Sequence, residues 1–354
     1  MYKISDYLTR GYKMVRNNTF PSYKKLSAVM LYATDRCNSK CKHCYIWEKT
    51  PKQHLPFEKI KEIIDSPAID KNTIIGLEGG EFVLHPEAEK ILEYLSKNHP
   101  KFDLLSNAVI TDKLIDYVKK YKPYRLYISL DGTKETYLNL RGVDAYDKVL
   151  HVIKELKDFV PLSIMFTLTP YNNFDDLNHV AAICKENGID MRIGIYNTME
   201  YFDTQTEDIT KTSLDFTIEE IPAVVKDFKE NYDFMSLYTH FREKNLKLSC
   251  NSIKESIVIY PNGDIPICQN KKIVLGNLFK ESLHTIINKK TTKDLHKKHH
   301  DGCNECWVNF HRKYDIILYR NLEKALPKKM IEKILGNYYW CANKNLKYKD
   351  VVRE

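Results

Sequence analysis

The sequence predicts an α/β fold, namely a partial (β/α)6 barrel followed by a small cysteine-rich C-terminal module. Two observations carry this prediction. Between residues 28 and 196, short apolar runs alternate with longer segments of helical period, which is typical of repeated βα units around a parallel sheet. Beyond residue 249, a second group of cysteines surrounds a hairpin turn predicted at 260–264; the group is Cys250, Cys268, Cys303 and Cys306.

The hydrophobic pattern justifies each element of the barrel. Ile60, Ile63 and Ile64 share one face of the first predicted helix between strands, and a later helix over 174–187 ends at Gly188. Six parallel strands can form an open barrel, which gathers polar groups at the carboxyl ends of its strands. The predicted strands span 28–34, 73–78, 102–106, 125–130, 162–168 and 190–196.

The outer segments are less regular. In the bridge, Thr217 and Glu220 form a capping-box pattern that predicts a helix start. Apolar and basic residues alternate in the tail before the aromatic run 338–340, a pattern that suits a membrane surface or a helix packed on the core, with packing favoured. The predicted segments are an N-terminal extension (1–27), the barrel (28–196), a bridging helical segment (197–249), the cysteine-rich module (250–310) and a basic C-terminal helical tail (311–354).

Composition indicates the compartment of the protein and the partners that it can bind. The 354 residues contain no apolar run long enough to span a bilayer, and the N-terminus lacks a secretory signal, so we expect a cytoplasmic protein. In a reducing compartment, nine cysteines argue for metal binding rather than disulfides. The formal net charge of +8 is modest for this length, and no nucleic-acid partner is expected.

Three cysteines crowd one short loop after the first strand, in the pattern Cys37-x3-Cys41-x2-Cys44. Three thiolates can hold three irons of a cubane cluster and leave the fourth iron open for chemistry. A zinc knuckle would need a fourth ligand, for which His43 is sterically awkward. The second group supplies four thiolates, and its spacing suits a closed cluster and tetrahedral zinc equally well.

The order of the motifs resembles that of the radical S-adenosylmethionine (radical SAM) superfamily. After the cysteine triplet come a Gly-Gly-Glu turn at 79–81, Ser-Asn at 106–107, Ser-x-Asp at 129–131 and Arg-Gly at 141–142. The second cysteine group resembles the auxiliary-cluster module of many such enzymes. The full SPASM form of that module continues with further cysteines, but 307–312 contains none, which favours the shortened, single-cluster Twitch form.

The resemblance implies two [4Fe-4S] clusters. One binds S-adenosylmethionine through Cys37, Cys41 and Cys44, and its reductive cleavage yields a 5'-deoxyadenosyl radical. An external one-electron reductant of flavodoxin or ferredoxin type would drive this step. The implied cofactor-binding residues are His43 near the adenine, Gly79, Gly80 and Glu81 at the methionyl amino group, Ser129 and Asp131 at the ribose or methionyl part, Arg141 at the carboxylate, and Ser106 and Asn107.

A second cluster on Cys250, Cys268, Cys303 and Cys306 would accept an electron from the substrate. This favours oxidation of a small polar metabolite of sugar or cyclitol type. The alternatives are a ribosomal-peptide maturase, which crosslinks or epimerises its substrate, and an enzyme for a lipid-linked substrate. The 27 residues before the first strand are too few for an independent leader-binding domain, which weighs against a peptide. The catalytic base is unknown, because no residue at the remaining strand ends indicates one.

Overall fold

The computed structural model describes residues 4–20, 24–197, 199–202, 214–228 and 230–352. Its strands are β1 (Ala28–Thr34), β2 (Ile74–Gly79), β3 (Phe102–Ser106), β4 (Arg125–Ser129), β5 (Leu162–Leu168), β6 (Asp190–Ile195), β7 (Ser256–Ile259), β8 (Asp264–Pro266) and β9 (Val274–Asn277). Seven of these form one parallel sheet in the order β6-β5-β4-β3-β2-β1-β7, and β8 pairs antiparallel with β9.

Helices cover the outside of the sheet and continue beyond it. They are α1 (Ile4–Thr19), α2 (Phe57–Ile64), α3 (Ala88–Asn98), α4 (Thr111–Tyr121), α5 (Lys134–Arg141), α6 (Tyr146–Leu156), α7 (Phe174–Asn187), α8 (Asn231–Arg242), α9 (Ser252–Glu255), α10 (Leu283–Asn288), α11 (Lys290–Gly302), α12 (Asn309–Ala325), α13 (Lys328–Leu335) and α14 (Tyr348–Val351). The α/β barrel class is therefore confirmed, and the six predicted strands match β1 to β6 to within one residue at each end.

Alternation along the strands separates two environments. On β2, Ile75 and Leu77 are buried against the helices, whereas Gly76 and Glu78 line the interior of the barrel. The same period places Met30 of β1 in that interior. Polar side chains on the inner face thus reach a shared space, and the apolar core lies between sheet and helices.

The barrel sheet has a seventh strand that the sequence pattern did not predict. β7 lies between Cys250 and Cys268 and pairs in parallel with β1, from Ala28 opposite Ser256 to Leu31 opposite Ile259. Its four residues are too few to show a clear period. One strand of the predicted cysteine-rich module therefore belongs to the barrel sheet, while the segment boundaries themselves stay a prediction.

Two terminal helices contribute to the barrel. Lys313 and Tyr314 on α12, which packs against β6, line the interior. On α1, the Arg10 guanidinium lies 3.6 Å from the centre of the Tyr314 ring and pairs with Glu255 at 2.6 Å. Lys13 of α1 donates a hydrogen bond to the carbonyl of Leu26 at 2.8 Å. The start of the predicted tail is thus part of the barrel wall.

The helix predicted at Thr217 is absent from the structure. The backbone N–H of Thr217 does donate to the Glu220 carboxylate at 2.6 Å, but the chain then turns at Pro222 and forms only a short 3-10 segment, Ala223–Asp227. Proline disfavours the helical conformation of the residue before it, which prevents propagation. The helix predicted over 174–187 is present as α7 and ends at Gly188 in the left-handed region, with φ +65°.

Packing of the tail is confirmed. Trp340 and Tyr338, the aromatic residues suited to a membrane interface, are buried, as is Ile331 of α13. Met330 and Ile334 stay exposed, so a peripheral membrane contact through this face remains a prediction. Within the described ranges, no helix is long and apolar enough to cross a membrane.

Candidate active site

A cavity of about 370 Å³ occupies the interior of the barrel and reaches the loop that carries the cysteine triplet. The structure brings most of the predicted cofactor-binding residues to this end of the cavity, and Glu81 and Asp131 lie buried behind its wall. The predicted residues that line it are Cys37, Cys41, His43, Cys44, Gly79, Gly80, Ser106, Asn107, Ser129 and Arg141.

The Gly-Gly turn after β2 packs directly on the cysteine loop. Gly80 donates its N–H to the carbonyl of Thr34 at 2.7 Å, and Glu81 donates to the carbonyl of Arg36 at 2.7 Å. A Cβ on Gly80 would lie 2.1 Å from the Arg36 carbonyl oxygen, and Gly79 has φ +126°. Only glycine permits this close approach, so the turn fixes the start of the loop.

Buried polar groups hold the loop from the β3 side. The Glu81 carboxylate accepts hydrogen bonds from Ser106 Oγ at 2.9 Å and from the Asn107 N–H at 2.7 Å. Burial raises the pKa of Glu81 to about 6, although these bonds oppose the shift. The Asn107 amide donates to Asn38 Oδ1 at 2.8 Å and to Ser39 Oγ at 3.0 Å. These residues therefore position the cysteine loop.

Arg141 joins the loop to the ends of β4 and β5. Its Nε donates to Asp131 Oδ2 at 2.7 Å, and its Nη1 lies 3.8 Å from Cys41 Sγ. The other Asp131 oxygen accepts the Thr167 N–H at 2.8 Å. The pair places a cation beside a thiol and offsets the charge of Asp131. Arg141 as a partner for the cofactor carboxylate stays a prediction.

The triplet suits an iron-sulfur cluster with an open position. Burial raises the pKa of all three thiols, that of Cys37 to about 11, so a metal must stabilise their thiolate forms. His43 is a neutral imidazole, because burial and then Arg141 lower its pKa to about 4. Its buried Nδ1 has no hydrogen-bond partner in the part of the chain that the structure describes, which leaves a donor or acceptor for a bound cofactor.

The second cysteine group also gathers in one place. Burial raises the pKa of Cys268 to about 12, and Cys306 and Cys303 lie near enough to add to the shift. Burial likewise raises the pKa of Cys250, with Cys306 again contributing. In the part of the chain that the structure describes, no three His, Cys, Asp or Glu side chains converge on a single metal ion. The electrostatic contacts nevertheless bring the thiols of this group together, and four thiols can hold either an iron-sulfur cluster or zinc.

A side-chain bridge connects the two cysteine groups. Tyr32 of β1 packs in an aromatic cluster that Cys37 and Cys44 touch. Its hydroxyl accepts a hydrogen bond from Gln269 Nε2 at 2.6 Å, and Gln269 directly follows Cys268 in the chain. The two groups are therefore linked through one buried hydrogen bond.

Glu78 is a functional candidate that the sequence analysis missed. It lines the cavity on the inner face of β2, and within the described residues no hydrogen bond or ion pair engages its carboxyl group. Burial, followed by the neighbouring Asp103, raises its pKa to about 8. The signal was present, since a lone acidic residue at an inward position of an apolar strand is unusual.

Fold and site together define a partial-barrel protein with a three-thiol set at the interior cavity and a four-thiol set in the region that follows the barrel. Residues 31–184 match the model of the radical SAM superfamily, and residues 250–307 match that of the SPASM iron-sulfur cluster-binding domain. The chain therefore carries a radical SAM domain followed by a C-terminal SPASM domain. Its cofactors are accordingly S-adenosylmethionine, the [4Fe-4S] cluster that binds it, and the auxiliary type of [4Fe-4S] cluster that a SPASM domain holds.

Individual relatives extend this result. The chain is 27% identical over 269 residues to the antilisterial bacteriocin subtilosin biosynthesis protein AlbA of Bacillus subtilis, which covers 72% of this chain and 58% of AlbA. It is 24% identical over 236 residues to a GTP 3',8-cyclase of Clostridium botulinum, covering 60% of this chain and 74% of the cyclase. The chain thus spans less than two thirds of AlbA.

The fold is similar to that of Streptococcus suis SuiB bound to S-adenosylmethionine. The TM-score is 0.62 at 15% identity, and the match covers 83% of this chain and 74% of SuiB. At this identity the similarity concerns the fold alone.

Proposed function

We propose that the chain is a radical SAM enzyme that modifies a peptide. The observation that carries this proposal is the match to AlbA, a bacteriocin biosynthesis protein, over most of the chain. SuiB, which has a similar fold, has been solved with its precursor peptide SuiA. These similarities support the peptide alternative better than oxidation of a sugar-like metabolite.

Cys37, Cys41 and Cys44 would hold the cluster that binds S-adenosylmethionine. When the cluster and S-adenosylmethionine are bound, they supply the radical that takes a hydrogen atom from the substrate. The Gly79-Gly80 turn and Asn107 fix the loop that carries the cysteines. The reductive step calls for an external one-electron donor of flavodoxin or ferredoxin type, and we expect the reaction to take place in the cytoplasm.

Glu78 is the residue that we expect to take a proton from the substrate. A net two-electron oxidation removes a hydrogen atom, an electron and a proton, and the proton needs an acceptor inside the cavity. The Glu78 carboxyl group lies there without a hydrogen bond or an ion pair to another described residue. Its pKa of about 8 makes the carboxylate a stronger base than an exposed glutamate.

Co-expression tests the peptide proposal. The chain is produced with each short open reading frame that neighbours its gene, and the peptides are analysed by mass spectrometry. We expect one peptide to change mass or acquire a crosslink, and the Cys41→Ala variant to leave it unmodified. If every neighbouring peptide returns unchanged while the protein cleaves S-adenosylmethionine, the peptide proposal is wrong and the metabolite proposal gains support.

Glu78→Gln tests the proton acceptor with the same peptide. Removing the base should lower product formation by roughly 10²-fold or more while S-adenosylmethionine cleavage continues. Glu186→Gln, an exposed position on α7, serves as the matched control and should leave both rates unchanged. Full product formation by Glu78→Gln would refute this role.

A small polar metabolite remains the second candidate substrate. The observation that favours it is the polar interior below the cysteine loop, which Asp103, Arg192 and the buried Lys313 line together with Glu78. Such a lining suits a molecule with several hydroxyl or charged groups. Deuterium transfer from a labelled candidate metabolite into 5'-deoxyadenosine would support it.

A further inference from the structure

Arg312 lies beside Cys250, Cys303 and Cys306 of the second cysteine group. It sits in the first turn of α12, and its side chain is only 1% exposed. The guanidinium Nε donates to the Cys306 carbonyl at 3.1 Å, and Nη2 donates to the Cys303 carbonyl at 3.3 Å. Further bonds reach the Leu248 carbonyl at 3.0 Å and Asn304 Oδ1 at 2.9 Å.

These four acceptors are neutral, so they satisfy the donors without cancelling the charge. The ion pair of Arg312 within the described residues is with Asp315, whose Oδ2 lies 3.8 Å from Nη1. That distance is too long for a hydrogen bond, and among the described residues Oδ2 has no hydrogen-bond partner. The positive charge therefore acts on its other neighbours, and it opposes the rise in the pKa of Cys250 and Cys306.

Arg312 also lies close in sequence to the last cysteine of the module, Cys306. The stretch 307–312 follows the last cysteine of the module, where the full form of the module would continue with further cysteines. Here the chain enters α12 instead, and the first turn of that helix directs Arg312 back toward Cys303 and Cys306. The first turn of α12 thus places a buried cation beside these two cysteines.

We propose that Arg312 is a positioning residue that raises the reduction potential of the auxiliary cluster and so makes it a better electron acceptor. Reduction adds one electron to the cluster and forms or breaks no bond. A fixed cation in a medium of low dielectric constant stabilises the more negative, reduced state. The proposal concerns the cluster alone and holds whatever the substrate is.

A redox titration monitored by electron paramagnetic resonance tests this in the full reconstituted chain. S-adenosylmethionine shifts the signal of the cluster that binds it and so identifies the auxiliary signal. Arg312→Gln should lower the auxiliary midpoint potential, and Arg312→Lys, which keeps the charge, should leave it near that of the wild type. Asp315→Asn removes the opposing charge and should raise the auxiliary midpoint potential. This variant is measured at about pH 8.5, where the wild-type carboxyl group, with a pKa of about 7, is ionised.

Arg320→Gln is the matched control. Arg320 lies on the same helix and pairs with Glu230 at 2.9 Å and Asp233 at 2.6 Å, so its loss should not move the potential. An unchanged midpoint in iron-loaded Arg312→Gln, or shifts of the same sign in Arg312→Gln and Asp315→Asn, would overturn the proposal. If Arg312→Gln fails to load iron, Asp315→Asn decides, because anything other than an upward shift contradicts it.

Discussion

At the residue scale, hydrogen bonding distinguishes Glu78 on β2 from Glu81 in the turn that follows. Glu81 accepts bonds from Ser106 and Asn107 and serves to position the cysteine loop. Glu78 lies three residues earlier, inside the barrel, and no described residue forms a hydrogen bond or ion pair with it. A carboxyl group inside a cavity without such bonds costs stability, which supports the proposed role of Glu78 in the reaction.

The pH dependence of stability should reveal Glu78. Its pKa is about 8 in the folded protein and ordinary in the unfolded chain, so the protonated form stabilises the fold. This contribution is complete below the unfolded pKa and is lost as the pH rises through about 8. Anaerobic denaturant titrations of the metal-free protein measure this effect. The free energy of unfolding of Glu78→Gln, relative to that of the wild type, should increase as the pH rises from acid to alkaline. A difference in unfolding free energy that does not change with pH would contradict the raised pKa of Glu78.

Sequence alone can predict the residues whose chemistry depends on spacing. The cysteines follow from their intervals, and the Gly-Gly turn follows from its place after β2. Glu78 and Arg312 could not be found in this way, because their importance comes from burial and from neighbours distant in the chain. The Cys306 and Leu248 carbonyls that surround Arg312, for example, lie on separate segments.

At the element scale, the turn after β2 and the cysteine loop form one unit. Their contact runs through backbone atoms, with Gly80 against Thr34 and Arg36. Backbone cannot move aside as a flexible side chain can. Any added side chain must therefore separate the two elements.

Gly80→Ala tests this contact. The new Cβ would meet the Arg36 carbonyl at 2.1 Å, so we expect loss of iron from the triplet and a lower free energy of unfolding, by roughly 2 kcal/mol or more. Gly11→Ala is the matched control, since nothing lies within 4 Å of a Cβ there in α1. That change should stabilise the helix by about 0.5–1 kcal/mol. Equal iron content and stability in both variants would contradict the account.

The elements that sequence predicted well have a strong period and clear ends. β1 to β6 and α7 belong to this group. β7 was missed because its four residues adjoin a predicted hairpin, and the pattern of the predicted helical tail did not indicate that its first helix, α12, lines the barrel interior. Tertiary packing buries Arg312, Lys313 and Asp315 of α12, which composition could not indicate.

At the scale of the whole molecule, the barrel and the cysteine-rich region are continuous. β7 pairs with β1, and the bond from Gln269 to Tyr32 links the two cysteine groups. α1 and α12 contact each other through Arg10 and Tyr314. We therefore expect the two regions to unfold together.

Metal content tests the two-cluster arrangement. Anaerobic reconstitution should load about eight irons per chain, the sum of two four-iron clusters. Replacing Cys268 by alanine should reduce this to about four, because the triplet keeps its own cluster. Zinc in the second site, or about four irons in the wild-type protein, would contradict the arrangement.

The central claim is that the triplet starts a radical reaction that the auxiliary group completes on a peptide. The most direct measurement is 5'-deoxyadenosine release together with peptide modification in Cys41→Ala and Cys268→Ala. We expect Cys41→Ala to abolish both, and Cys268→Ala to release 5'-deoxyadenosine while the peptide stays unmodified. Cleavage by Cys41→Ala at the wild-type rate, or full peptide modification by Cys268→Ala, would contradict the claim.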